Sequence, residues 1–133
     1  MKTALLVSAS LAAALSALSA CASTRPPEAY RDDTKAVLEK KNEDIRACYD
    51  AVLKTTPGLS GKLTVKFEVL EDTGKITNVT VDKANSTVPD AVGDCVTKTI
   101  AGLVLAPPDP YKGEGTWVYE FAAPPPQAAP KAI

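Results

Sequence analysis

Hydrophobic and polar residues alternate along one stretch of the chain and recur at helical spacing along two others. Leu63, Val65, Phe67 and Val69 are separated by Thr64, Lys66 and Glu68. Every second side chain therefore falls on one side, which predicts a strand with a single buried face. Glu71-Asp72-Thr73-Gly74 follows and reads as a hairpin turn in which Gly74 takes a positive φ. Ile76 to Val81 returns as a second strand rich in β-branched residues, with Ile76 out of phase with Val79 and Val81. Upstream, Ile45, Cys48, Tyr49, Val52 and Leu53 share one face of a helix, a face that Val37 and Leu38 extend toward the N-terminus. Asp32, Asp33 or Thr34 can cap its start, and Pro57-Gly58 stops it.

A second helix opens near Pro89-Asp90, where proline suits the first turn and a carboxylate suits the positive end of the dipole. Val92, Cys95, Val96, Thr99, Ile100 and Leu103 mark its apolar face, and Pro107-Pro108-Asp109-Pro110 ends the element. Cys48 and Cys95 are thus expected on the core side of their helices. Gly113 and Gly115 lead into a third strand, Thr116 to Phe121, with Trp117, Tyr119 and Phe121 on one face. The order α-β-β-α-β predicts an α+β domain over residues 33–122: a three-stranded antiparallel sheet with two helices on one face. If the second helix returns the chain across the sheet, the strand order is 2-1-3. The third strand is then an edge with a free row of backbone groups.

The ends carry a different pattern. Met1-Lys2 opens with one positive charge, and a run of small and apolar residues continues to Ala20, the organisation of a secretory signal over residues 1–20. Its ending, Leu18-Ser19-Ala20-Cys21, resembles the lipobox of bacterial lipoproteins, in which the cysteine thiol takes a diacylglycerol and becomes the first mature residue. Ala20-Cys21-Ala22 also fits the small-x-small rule of the general peptidase, which would leave Cys21 an ordinary residue. A transmembrane helix is the poorer reading, because the run is rich in Ala and Ser and barely reaches the ~20 residues a span needs. Residues 21–32 read as a lipidated tether without apolar periodicity, and residues 123–133 as a proline-rich disordered tail.

Composition narrows the function. Of the 15 basic residues, Lys2 leaves with the signal, so the mature balance is 14 against 16 acidic residues, or −2. That charge is small and mixed and supports no nucleic-acid surface. The chain has no histidine, which removes the usual general base, the usual zinc ligand and the standard triads. No phosphate-binding glycine loop is present, so no catalytic residue, metal, cofactor or small-molecule substrate is expected. Asn78-Val79-Thr80 and Asn85-Ser86-Thr87 match the glycosylation acceptor pattern, a chance match in a bacterial lipoprotein. A domain this small buries only about 60–65% of its unfolded surface, so a staple helps. With Cys21 committed to lipid, Cys48 and Cys95 remain for one pairing. That bond would stabilise the fold by about 4 kcal/mol on a chain-entropy model. Two separate buried thiols, or a redox pair despite the missing CxxC spacing, are the alternatives.

The ordered set of motifs resembles a family. Ile45-Arg46-Ala47-Cys48-Tyr49-Asp50, Gly61 to Phe67, Asp72 to Ile76, Asp94-Cys95-Val96, Pro107 to Gly115 and Val118 to Phe121 are together similar to TonB-like C-terminal domains of the AgmX/PglI type. The likeness covers residues 40–122. It implies a Cys48–Cys95 disulfide and capture of an extended partner segment at the third strand, Thr116, Trp117, Val118, Tyr119, Glu120 and Phe121. The expected protein is a binding module of transport- or gliding-type envelope machinery, not an enzyme. It would be held in the periplasm by lipid on Cys21, with an envelope protein or peptide as partner. Ala22 at the second mature position favours the outer membrane over the inner. A purely structural envelope lipoprotein without a peptide ligand is the alternative.

Overall fold

The computed structural model describes residues 25–123. The expected signal, the Cys21 lipidation site and residues 124–133 of the expected tail lie outside the described residues. Six elements follow in order: α1 (Pro27–Glu39), α2 (Asn42–Leu53), β1 (Gly61–Val69), β2 (Ile76–Val81), α3 (Asp90–Ile100) and β3 (Gly113–Phe121). A single 3-10 turn, Lys83–Asn85, joins β2 to α3. The fold is α+β, with one three-stranded sheet in the order β2-β1-β3 and both pairings antiparallel.

The alternating residues of β1 face the core as their period requires. Leu63, Val65, Phe67 and Val69 are all buried, and Leu38 of α1, Ile45 and Cys48 of α2, and Val92, Val96 and Ile100 of α3 complete the cluster. Thr64, on the opposite side of β1, is also buried. The loop after β2 folds over it: Thr64 Oγ1 donates to the Asn85 carbonyl at 2.8 Å, and its N–H donates to Ser86 Oγ at 2.9 Å.

Three expectations need correction, and the expected phase break in β2 finds its cause. The first helix is two, and it starts inside the stretch read as a tether. Pro27 stands at the head of α1, where its missing N–H costs nothing. Tyr30, Thr34, Val37 and Leu38 then fall at i, i+4, i+7 and i+8, a helical face hidden because its second member is a threonine. Thr34 is buried with its hydroxyl donating to the Tyr30 carbonyl at 2.7 Å. The chain breaks at Lys40-Lys41, where no side chain meets the core, and this turn lets Tyr30 reach Gly113 of β3.

The last helix ends at Ile100, well before the prolines. Gly102 has φ +85°, and the following residues run extended beside the hairpin. Gly102 N–H donates to Ile76 O (2.9 Å), Ile76 N–H to Leu103 O (2.7 Å) and Leu105 N–H to Gly74 O (2.7 Å). Leu103 therefore belongs to a strap along β2 and not to a helix face.

The phase break in β2 is a bulge. Lys66 pairs with Thr80 but Glu68 pairs with Thr77, so β2 spends one residue more than β1 across this step. Asn78, with φ +49°, sits in the extra length. Ile76 thereby stays buried while Val79 and Val81 remain half-buried on the core.

Cys48 and Cys95 form a disulfide across α2 and α3, with their Cα atoms 5.6 Å apart. Cys48 is buried, but Cys95 is exposed, so the bond lies at the rim of the helix interface and only one of its ends is on the core side.

Candidate partner-binding edge

β3 is held from one side only. Nine consecutive pairs, from Gly61↔Phe121 to Val69↔Gly113, join it to β1 without interruption. Among the described residues, no backbone hydrogen bond runs from 113–121 to any segment other than β1. It also begins three residues earlier than expected, at Gly113. Its sequence, Gly-Glu-Gly-Thr-Trp-Val-Tyr-Glu-Phe, contains no proline and no lysine, and its register contains no bulge. These are the usual devices that blunt an exposed edge. The opposite edge of the same sheet carries two: the Gly102–Leu105 strap at its start and the bulge at Asn78.

The open edge lies in a trough. A groove of about 440 Å³ is lined by Tyr30, Arg31 and Thr34 of α1 together with Glu114, Gly115, Thr116, Trp117 and Val118. A second groove of about 350 Å³ continues along Tyr119, Glu120 and Phe121, with Ile45, Arg46, Tyr49 and Asp50 of α2 as its wall. All six residues expected at the partner site, Thr116 to Phe121, line one groove or the other. The α1 wall was not anticipated; the Tyr30–Thr34–Val37–Leu38 spacing was its signal in the sequence.

α1 is fastened to the approach of β3 by Arg25. Its guanidinium lies 3.1 Å from Asp33 and 3.7 Å from Asp109, and its side chain is only 8% exposed. The backbone N–H of Arg25 donates to Asp109 Oδ1 at 3.4 Å, and Nη2 donates to the Pro107 carbonyl. Tyr30 sits beside this clasp, and its hydroxyl is held above its ordinary pKa by burial first and by Asp109 second, with Arg25 opposing.

Side chains alternate across β3. Trp117, Tyr119 and Phe121 are half-buried and pack on the core, while Val118 points outward at 49% exposure. Phe121 stacks on Tyr49 with centroids 4.9 Å apart, and Tyr119 lies 6.4 Å from Phe121. Tyr49 is fixed in turn by donating its hydroxyl to the Leu59 carbonyl. The hydroxyls of Tyr30 and Tyr119 are buried with no hydrogen-bond partner. Burial pushes the Tyr119 phenol up to about 12.

Charge on the outer face is mostly matched. Lys112 Nζ lies 3.0 Å from Glu68 and 3.8 Å from Glu114. Hydrogen bonds from Asn78 and Lys112 hold the Glu68 carboxyl below its ordinary value. Arg46 and Asp50 pair at 3.9 Å on the α2 wall.

Among the described residues no group of His, Cys, Asp or Glu is placed to hold a metal ion, and no helix is long and apolar enough to cross a membrane. A scan against protein-family models finds no match, and searches of curated proteins and of solved structures find none either.

Proposed function

We propose that this chain is an exported binding module, anchored by lipid on Cys21 in the periplasm, that captures an extended segment of an envelope protein. The partner adds as a fourth strand to β3. Main-chain hydrogen bonds supply the affinity and alternate side chains the selectivity. The observation that carries this reading is the asymmetry of the sheet: the β2 edge is strapped and bulged, whereas β3 is straight and open over nine residues. A purely structural lipoprotein has no need of such an edge. The likeness of residues 40–122 to TonB-like C-terminal domains adds support, and the short distance from Cys21 to α1 would keep the module close to its membrane.

Two experiments test the two halves. A photo-crosslinking amino acid at Val118 should trap an envelope protein in cells, while the same probe at exposed Lys98 of α3 should not. Backbone amide shifts with the trapped segment should then cluster on 113–121. Crosslinking from position 98 with none from 118, or shifts confined to a helix face, would refute edge capture. The anchor is tested by detergent partitioning of wild type against Cys21→Ala; equal recovery in the aqueous phase would exclude lipidation.

A further inference from the structure

Of the large apolar side chains exposed among the described residues, Val118 belongs to the trough, and the other three stand at one end of the sheet. These are Leu70 at 37%, Val104 at 51% and Tyr111 at 68% exposure. Leu70 N–H donates to the Lys75 carbonyl at 2.9 Å, and Val104 bridges to Lys75 as well. Leu70 follows Val69, whose partner on β3 is Gly113, two residues after Tyr111. The proline loop is tied to the same end, because Asp72 N–H in the hairpin turn donates to the Asp109 carbonyl at 3.2 Å. Scattered apolar residues on a surface need no explanation, whereas apolar residues gathered at one end mark a surface that something covers.

The start of the chain says what covers it. Arg25 is fastened to Pro107 and Asp109, so the described residues begin beside this loop. Cys21 stands four residues before Arg25, and four residues span at most about 14 Å fully extended. A lipid on Cys21 therefore sets a bilayer within reach of this end. The Gly61↔Phe121 end of the sheet lies eight residues away along β1, roughly 26 Å.

The residues here suit a membrane interface. Pro107, Pro108 and Pro110 are exposed and bring no N–H that would need a partner away from water. Tyr111 offers an apolar ring with a polar tip. Charge supplies no pull. Lys75 and Lys112 are exposed, but Lys112 is already met by Glu68 and Glu114. Glu71 and Asp72 in the turn, and Glu28 in the first turn of α1, are exposed carboxylates without an ion-pair partner among the described residues. Contact with the bilayer thus rests on the apolar side chains.

Resting on the lipid-anchor reading above, we infer that Leu70, Val104 and Tyr111 seat this end of the domain on the surface of the bilayer that holds Cys21. β3 then runs from the membrane at Gly113 outward to Phe121, and the trough opens away from the lipid.

The test uses the lipidated full-length mature chain in vesicles of phosphatidylethanolamine and phosphatidylcholine. With Cys21 acylated and Cys48 bonded to Cys95, an introduced cysteine is the one free thiol for a nitroxide label. Labels at Val104→Cys and at Tyr111→Cys should meet oxygen more readily than a water-soluble nickel complex, as at a depth of about 5–10 Å. A label at Lys62→Cys, exposed near the far end of the sheet, should show the reverse. Adding Leu70→Ser to the Tyr111→Cys chain should lift its label toward water while flotation with the vesicles is unchanged. A chain that does not float would overturn the anchor and the seating with it. Flotation with all three labels in water would overturn the seating and leave the anchor standing. A depth gained only with anionic phosphatidylglycerol would overturn apolar seating. Labels at 104 and 111 shielded from both reagents would mean a protein cover: the tail if deleting residues 124–133 exposes them, a second copy if it does not.

Discussion

The ring of Phe67 occupies the space that a side chain at Gly115 would need: a Cβ built on Gly115 would lie 2.5 Å from two of its ring carbons. The two residues face each other across β1 and β3 in register. A glycine in an edge strand weakens it in isolation, yet here its bareness lets an aromatic side chain of the central strand fill the core beneath the edge. Gly113 stands in the same relation to Tyr30, whose hydroxyl would lie 2.1 Å from its Cβ. These two glycines therefore let α1 and Phe67 close against the strand that forms the trough.

Gly115→Ala should destabilise the fold by about 1–3 kcal/mol, because a packed ring must shift to admit the methyl group. That is a fall of roughly 4–8 °C in melting temperature for each kcal/mol. Phe67→Leu in the same chain should recover part of the loss, and a double-mutant cycle measures how much. Strictly additive effects would mean that the contact is not the cause.

The Cys48–Cys95 bond closes a loop with a sequence separation of 47. Removing it should cost about 4 kcal/mol on the chain-entropy model. Denaturant midpoints with and without reductant, and for Cys48→Ala/Cys95→Ala, measure the effect. Since Cys95 is exposed at the interface rim, reductant should reach the bond in the folded protein without prior unfolding. Reduction that waits on global unfolding would contradict the exposed placement.

Tyr119 carries a buried hydroxyl with no partner, and an unsatisfied buried polar group costs stability. Tyr119→Phe should therefore stabilise the free protein by about 1 kcal/mol at neutral pH. The pH dependence has a definite sign. The phenol ionises near 10 in the unfolded chain and at about 12 in the fold, so the folded state holds the proton more tightly. Its contribution is intact below pH 10 and is lost as pH rises from 10 through 12. The phenylalanine variant should lack this alkaline loss in thermal melts between pH 9 and 12. An identical decline in both proteins would assign it to other groups.

Periodicity alone revealed the parts of this protein in which one row of side chains meets one surface. Leu63, Val65, Phe67 and Val69 alternate because β1 is central and covered on one face, and that pattern, with a turn at Gly74, was enough for the hairpin; β3 as an edge followed only on the condition that the last helix returns the chain across the sheet. The spacing of Ile45, Cys48 and Tyr49 likewise placed α2, whereas the helix faces put both cysteines on the core side and only Cys48 is there. Tertiary contacts decided the rest. Lys40-Lys41 breaks a run whose apolar residues would suit one longer helix, because turning there lets Tyr30 close on Gly113. The Asn78 bulge restores a buried position to Ile76 that strict alternation denies it, since register follows the core and not the count of residues. The Gly102–Leu105 strap satisfies backbone groups of Gly74 and Ile76 that lie far from it in sequence, and so leaves β3 as the open edge. Each of these depends on partners distant along the chain, which local pattern cannot register.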